Sequence, residues 1–263
     1  MTRILVVGSS HTGAVYLGWK TVKDEFPDIE ADFLAVPAYV LERLSLRDGI
    51  IYGLHETTGL SEKILSMIRQ TSGTLTRDLS LYSHVVFVGR AVLVWRLLRV
   101  LVKIGVLGMR QMSPAQQTLV SLATFRAICH DTASQSFSRQ APVMMANLRV
   151  AVTSIPMRSE ITAERPEEEN YPDAKAARDF PDGLRDGFAM FQDIVEQVYA
   201  AEGATFIRQP DETIGDFGYT KAEFSRGSIK LDASLGAEDD LTHMNERFGQ
   251  LISRAIGNWV TGA

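Results

Sequence analysis

The sequence predicts an α/β protein with three layers, in which helices cover both faces of a mostly parallel, five-stranded sheet of the flavodoxin-like type. Short β-branched runs alternate with longer helical patterns along the chain, which is typical of βαβ units. The strongest strand signal is at residues 84–89. The four residues between His84 and Gly89 are all apolar, as expected for a parallel strand covered on both faces. A chain of 263 residues with 45% hydrophobic residues is expected to form one domain over 1–263.

Each element is placed in order from its apolar pattern and its boundary residues. Pro37 closes the second strand and Pro156 the fourth, while Ser113-Pro114 is typical of a helix start with serine as the N-cap. Residues 49–55 fit a short strand or a hairpin, and the pattern does not choose between them. The strands of the sheet are predicted over 4–8, 31–36, 84–89, 148–155 and 204–208, and the helices over 11–26, from 89 to about 104, 114–138, 183–202 and 240–260.

The composition is ordinary for a globular protein, with 22% charged residues. A net charge of −5 argues against general binding to nucleic acid or to an anionic membrane surface. Cys129 is the only cysteine, so no intrachain disulfide is expected, in keeping with a reducing compartment. The apolar run at residues 4–7 starts too early and is too short for a secretory signal peptide. We therefore expect a cytoplasmic protein, and the sequence leaves its oligomeric state open.

The most apolar region, residues 91–108, invites comparison with a membrane span. A spanning helix needs about 20 apolar residues with few charges, whereas Arg96, Arg99 and Lys103 interrupt this region. Their spacing places them on one face of a helix and leaves the other sides apolar. Two interpretations remain, a core-packed helix with a solvated basic stripe or a lid that meets an apolar or anionic ligand. Neither is an integral membrane segment.

Two stretches of the chain have no regular pattern. Residues 160–182 carry eight carboxylates and three prolines, and we interpret them as a solvated loop, with an acidic binding surface as the alternative. Residues 209–239 contain several glycines and are long for a connection, and long loops in compact domains are often functional.

The first strand runs into the turn Gly8-Ser-Ser-His-Thr-Gly13 and then into a helix. In a parallel sheet such a turn lies at the carboxyl edge, where ligands bind, and the amides at the helix N-terminus can stabilise an anion. Ser10 is therefore a candidate nucleophile. Helix capping by Ser9 or Ser10 is the structural alternative.

The turn departs from three known motifs. A phosphate-binding loop would have a lysine after its second glycine, but Ala14 follows Gly13. A dinucleotide fingerprint would have glycine in place of Ser10 and an acidic residue at the end of the second strand, where Val36 stands. The α/β-hydrolase elbow G-x-S-x-G does not fit either, because the position of its second glycine is occupied by Thr12.

The segment Asp240-Leu-Thr-His243 contains the residue types that activate a serine. A serine hydroxyl needs a base to take its proton, and a histidine base needs a carboxylate on its other nitrogen. Asp240 and His243 lie three residues apart, so at a helix start both reach the same space. The structural alternative makes Asp240 an N-cap and His243 an exposed helix residue. Because the segment follows the last predicted strand, it can return to the carboxyl edge beside Ser10.

The Gly-Ser-Ser10 block after the first strand and the Asp-x-x-His243 block before the C-terminal helix resemble the SGNH (GDSL-like) hydrolases. By motif order the resemblance covers nearly the whole chain, with less distinctive motifs in the interior. It implies the SGNH-hydrolase type of α/β fold, with Ser10 as nucleophile, His243 as base and Asp240 as the acid that orients it. It also implies an oxyanion hole made by the Ser10 amide, a glycine and an asparagine, and Gly89 matches the glycine.

The chain departs from the family pattern at two points. Ser9 stands where the family has aspartate, and Arg90-Ala91 follows Gly89, so the expected asparagine is missing. Loss of one oxyanion donor costs about 100- to 1,000-fold in rate. Arg90 is a candidate substitute donor. The alternative is a catalytically impaired relative that only binds its ligand.

The other histidines carry no predicted role. His11 is expected to point along the first turn of its helix rather than to act as a base. His55, His84 and His130 lack partners at metal-ligand spacing, so the sequence predicts no metal and no cofactor.

Three functional hypotheses result, in order of support. The first is a serine ester hydrolase acting on an O-acyl ester of a small molecule or glycan, such as a carbohydrate O-acetyl group, with an O-acyltransferase on a glycan as its variant. The second is a ligand-binding protein on the same fold without catalytic activity. The third is a nucleotide-binding enzyme that uses the turn from Gly8 to Gly13.

Overall fold

The computed structural model describes residues 1–89, 97, 100, 103–109, 118–138, 148–164, 178, 181–215, 218–228 and 240–262. Its strands are β1 (Thr2–Gly8), β2 (Ile29–Ala35), β3 (Ser45–Arg47), β4 (Ile51–Gly53), β5 (Thr76–Asp78), β6 (His84–Val88), β7 (Ile104–Val106), β8 (Thr118–Val120), β9 (Arg149–Thr153) and β10 (Ala204–Ile207). Its α-helices with described bounds are α1 (Thr12–Val22), α2 (Glu62–Ser72), α3 (Leu122–Ser138), α4 (Pro181–Ala201) and α5 (Glu246–Thr261).

Five of the strands form the main sheet, in the order β10-β9-β6-β1-β2. Every neighbouring pair in this sheet is parallel, which confirms the predicted five-stranded sheet. Gly8 at the end of β1 is in register with Ala35 of β2 and Val88 of β6. The carboxyl ends of three adjacent strands therefore meet at one edge of the sheet.

Helices cover both faces of this sheet. Successive side chains of a strand point to opposite faces, so Leu5 and Val7 of β1 pack in a cluster with α2, α3 and α4. Ile4 and Val6 pack in a second cluster with α1 and α5. All four side chains are buried, and full burial of such a side chain contributes about 1.5–3 kcal/mol. The predicted three-layer α/β/α fold is confirmed.

Helices α1 and α5 cross in direct backbone contact. A Cβ atom built on Gly249 would lie 1.7 Å from the carbonyl oxygen of Ala14, and one built on Gly18 would lie 2.1 Å from the backbone carbonyl carbon of Gly249. Only glycine fits at both positions. Ser253 adds a hydrogen bond from its Oγ to the carbonyl of Val15, at 3.1 Å. This crossing holds the segment before α5 close to the turn before α1.

Some predicted boundaries are wrong. The last helix begins at Glu246 rather than at residue 240, and the side chain of Asn245 caps it by accepting a hydrogen bond from the N–H of Phe248. The helix predicted from residue 114 begins at Leu122, after the strand β8, while residues 114–117 lie outside the described residues. Within 49–55, β4 is the middle strand of a small antiparallel sheet with β3 and β5.

Much of the apolar region 91–108 lies outside the described residues, including Arg96 and Arg99. Within this region Leu97 is buried, and β7 pairs in parallel with β8 instead of continuing a helix. In the described part of the chain, no helix is long and apolar enough to cross a membrane. Of the predicted loop over 160–182, residues 160–164 form a 3-10 helix, and 165–177 lie outside the described residues.

Candidate active site

Ser10 lies in a tight turn at the carboxyl end of β1, a strand that is flanked by β6 and β2 in the sheet. Gly8 permits this turn, because a Cβ atom there would lie 2.2 Å from the carbonyl oxygen of Val88 on the neighbouring strand. The N–H of Thr12 donates to the carbonyl of Ser9 at 2.9 Å, and that of Gly13 donates to the carbonyl of Ser10 at 3.0 Å. The chain thus turns directly into α1 and leaves the Ser10 side chain at the sheet edge.

Asp240 lies in a turn of its own and not in the first turn of a helix. Its Oδ1 accepts hydrogen bonds from the backbone N–H groups of Thr242 and His243 and from the Thr242 hydroxyl, each at 3.0 Å. The buried side chains of Leu241 and Met244 anchor this turn. The N-cap role considered for Asp240 is wrong, because Asn245 fills it. The turn fixes the carboxylate and the histidine backbone relative to each other.

The structure brings Ser10, His243 and Asp240 into one chain of hydrogen bonds. His243 Nδ1 lies 2.8 Å from Asp240 Oδ2, and His243 Nε2 lies 2.8 Å from Ser10 Oγ. With the carboxylate on one side, the proton of the neutral ring belongs on Nδ1, where it is donated to Asp240. Nε2 then accepts the hydroxyl hydrogen bond of Ser10. This is the orientation in which a histidine can take the proton of a serine.

The Asp240 carboxylate stays ionised in this arrangement. Its side chain is only 9% exposed. Desolvation on its own would raise the pKa of Asp240, but hydrogen bonds from the His243 and Thr242 backbone N–H groups and from the His243 ring outweigh it and lower the pKa to about 2. A negative charge is therefore held against the ring at neutral pH, where it can stabilise an imidazolium.

Gly89 follows β6 and lies beside the Ser10 turn. Its φ of +63° is in the left-handed region that favours glycine. A Cβ atom at this position would lie 2.7 Å from His11 Cδ2 and 3.0 Å from Ser9 Oγ. Among the described residues, and outside the regular helices and strands, the amides of Ser10 and Gly89 donate to no backbone carbonyl. Arg90, the sequence-based candidate donor, lies outside the described residues.

His11 occupies a position that the sequence did not predict. The sequence predicts a side chain that points along the first turn of α1, and the structure places the His11 ring 5.6 Å from that of His243, measured between centroids. Burial and, second, the nearby His243 lower the pKa of His11 to about 4, against an opposing effect of Asp240. His11 is thus neutral at pH 7. The only sequence signal was its place directly after the candidate nucleophile.

The other histidines lie away from this site. His55 Nε2 is 3.1 Å from the carbonyl oxygens of both Ser45 and Ile51, and His84 Nδ1 is 2.8 Å from Ser83 Oγ. Across the residues that the structure describes, no group of three or more His, Cys, Asp or Glu side chains is placed to hold a metal ion.

Comparisons by sequence find no match to a known protein family and no similar curated protein. Comparison of structures finds similar chains. One is a candidate acylhydrolase from Bacteroides fragilis, with 12% identity and a TM-score of 0.41 over 99% of this chain and 87% of that one. A second is a GDSL-like lipase from Bacteroides thetaiotaomicron, with 12% identity and a TM-score of 0.44 over 99% of this chain and 88% of that one.

A third similar structure is the periplasmic domain of a lipopolysaccharide acetyltransferase from Salmonella ser. Paratyphi A. It has 12% identity and a TM-score of 0.41, over 98% of this chain and 83% of that one.

Proposed function

We propose that the protein is a serine-dependent acyl-ester hydrolase. The observation that carries this proposal is the pair of 2.8 Å hydrogen bonds that join Ser10 to His243 and His243 to Asp240. The same order of serine, histidine and carboxylate activates the nucleophile in unrelated hydrolase folds. The three side chains come from two separate turns, and a binding protein would have no need for this arrangement. This supports catalysis over the binding-only hypothesis.

The geometry supports a two-step reaction. His243 Nε2 takes the proton of Ser10 as Oγ attacks the acyl carbonyl, and Asp240 stabilises the imidazolium that forms. The imidazolium then gives its proton to the departing alcohol oxygen, which leaves an acyl-serine. In the second step His243 takes a proton from water as the water oxygen attacks the acyl carbonyl. The bond from that carbonyl to Ser10 Oγ then breaks, the His243 imidazolium returns its proton to Oγ, and the free acid is released.

The amides of Ser10 and Gly89 are the proposed donors to the oxyanion. The N-terminus of α1 adds a favourable electrostatic field for a developing negative charge, because the peptide dipoles of a helix sum to a partial positive charge at that end. With only these two amides, the oxyanion hole has one hydrogen-bond donor fewer than the family resemblance implies. A slow hydrolase is the expectation unless another group supplies the third hydrogen bond.

The proposed substrate is an O-acyl ester of a small molecule or a glycan, including a carbohydrate O-acetyl group. Water and a sugar hydroxyl can resolve the same acyl-serine, so an O-acyltransferase on a glycan shares every step up to that intermediate. Supplying a soluble oligosaccharide during turnover of p-nitrophenyl acetate separates the two. Acetate release alone indicates a hydrolase, and acetylated oligosaccharide indicates a transferase.

The decisive experiment is covalent labelling with a fluorophosphonate probe, followed by hydrolysis of p-nitrophenyl esters of increasing acyl length. Wild type is expected to be labelled and to turn over short esters, and Ser10→Ala is expected to lose both. Ser61→Ala is the matched control, because Ser61 is exposed and precedes α2 far along the chain. Equal labelling of wild type and Ser10→Ala would overturn the proposal. Stabilisation of the fold by NAD or ATP without labelling would favour the nucleotide-binding hypothesis.

A further inference from the structure

His11 is wedged between the two halves of the candidate site. Its ring lies 5.6 Å from the His243 ring on one side. On the other side, a Cβ atom on Gly89 would lie 2.7 Å from His11 Cδ2 and 2.9 Å from His11 Cβ. Cδ2 is bonded to Nε2, so Nε2 lies one bond away from the ring atom that is nearest to Gly89. The Gly89 amide is one of the two proposed oxyanion donors.

The surroundings of Nδ1, the other ring nitrogen of His11, indicate which of the two nitrogens carries the proton. Nδ1 is buried and has no hydrogen-bond partner among the described residues. The His11 side chain borders a small, largely apolar cavity that Val15, Val88 and Met244 help to line. A neutral imidazole has one N–H and one acceptor nitrogen. Among backbone groups, a buried N–H without a partner is rarer than an under-satisfied buried carbonyl, and the same preference favours the acceptor form of Nδ1. We therefore assign the proton to Nε2.

We propose that His11 Nε2–H is the third donor to the oxyanion and takes the place of the asparagine that is missing after Gly89. This inference rests on the acyl-ester function proposed above. Three hydrogen bonds would then reach the oxyanion, from the Ser10 amide, the Gly89 amide and the His11 ring. No new bond is formed or broken by His11, which keeps its proton throughout the reaction.

The charge state of His11 fits this role. A neutral imidazole can donate its N–H to a developing oxyanion, and enzymes that use histidine in this way keep its pKa low. The lowered pKa of His11 keeps it uncharged at neutral pH. A charged His11 would instead oppose protonation of His243, whose ring is 5.6 Å away. The base can therefore gain its proton while the neighbouring donor stays neutral.

The test compares two substitutions with opposite consequences. His11→Phe keeps a ring against Gly89 but has no N–H, while His11→Gln loses the ring but carries an amide N–H near the position of Nε2. With p-nitrophenyl acetate, His11→Phe is expected to lower kcat about 100-fold with KM nearly unchanged, and His11→Gln to retain activity within about tenfold of wild type. Inhibition by phenylboronic acid, which forms a tetrahedral adduct on serine, should weaken in His11→Phe by a similar factor.

Several outcomes would overturn the donor role. One is hydrolysis by His11→Phe as fast as by wild type. Another is an equal loss in His11→Phe and His11→Gln, which would show that an N–H group at this position does not restore activity. If Arg90→Ala loses activity while His11→Phe keeps full activity, the third donor is Arg90 and not His11. His11→Leu, judged by the same criteria, replaces His11→Phe if the latter melts early. Absence of turnover in wild type would overturn the proposed hydrolase itself, whereas turnover abolished by Ser10→Ala but kept in His11→Phe overturns only the donor role.

Discussion

Replacing Gly249 by alanine should lower kcat, because the added methyl group forces helices α1 and α5 apart. The added Cβ atom would meet the carbonyl oxygen of Ala14 at 1.7 Å, and real Cβ contacts are essentially never below 3.0 Å. The backbones must therefore separate by about 1.3 Å at this crossing, well beyond the tolerance of close-packed interiors. Ser10 precedes α1 and His243 precedes α5, so the 2.8 Å contact between them lengthens toward about 4 Å, outside hydrogen-bond range.

The same contact between Gly249 and Ala14 determines how much stability the substitution costs. Alanine favours a helix over glycine by about 1 kcal/mol, while overpacking of this kind costs about 1–3 kcal/mol and occasionally more. The net loss should lower Tm by a few degrees, since 1 kcal/mol corresponds to about 2–4 °C in a protein of roughly this size. Loss of the serine–histidine hydrogen bond should lower kcat about 100-fold or more, the usual contribution of a positioned base.

Calorimetry and p-nitrophenyl acetate kinetics measure the two effects on the same preparation. Asn258→Ala is the control, because Asn258 is an exposed residue of the same helix and its substitution leaves the crossing intact. Gly249→Ala with the Tm and kcat of wild type would show that the helices do not touch as described. A lower Tm with unchanged kcat would show that the crossing stabilises the fold without positioning His243.

Three further predictions concern the residues around the site. Asp240→Asn should lower kcat by about 10,000-fold with little change in KM, because the ring loses the carboxylate that orients it; a loss below tenfold would argue against the proposed role. Because the pKa of His11 is about 4 when folded and near 6.5 when unfolded, the unfolded state binds more protons between these values. Stability should therefore fall by at most about 3 kcal/mol as pH drops from 6.5 to 4. Between pH 6.5 and 4, the free energy of unfolding measured in urea should fall less in His11→Phe than in wild type. Asn245→Ala should cost about 0.5–2 kcal/mol through loss of the α5 cap, measured against exposed Asn258→Ala.

The sequence predicted the sheet because its signals are local. Strand β6 is apolar throughout after His84, and the turn at Ser10 follows an equally clear strand, so both could be placed at one edge of the sheet. The boundary of α5 was missed because Asp240 and Asn245 are both good helix caps, and only the structure shows that Asp240 closes its own turn. The catalytic roles of Ser10, Asp240 and His243 stay predictions until the labelling experiment is done.

The position of His11 could not be predicted for a different reason. Its neighbours, Gly89 and His243, are separated from it by long stretches of sequence. Nothing local to the turn encodes those contacts, because the direction of a side chain at a helix start depends on what packs against it. Likewise, the glycines of the α1 and α5 crossing look like ordinary weak points in two helices until the other helix is in place.

The separation of the two active-site turns along the chain has a consequence for synthesis. Ser10 and His243 are 233 residues apart, and a domain generally folds as a unit. The strand that precedes Ser10 is synthesised long before the codon for His243 is read. A nascent chain therefore carries the serine for most of its synthesis without the group that activates it. On the proposed function, ester cleavage can begin only when α5 has docked against α1, so a chain interrupted before that point carries Ser10 without its base.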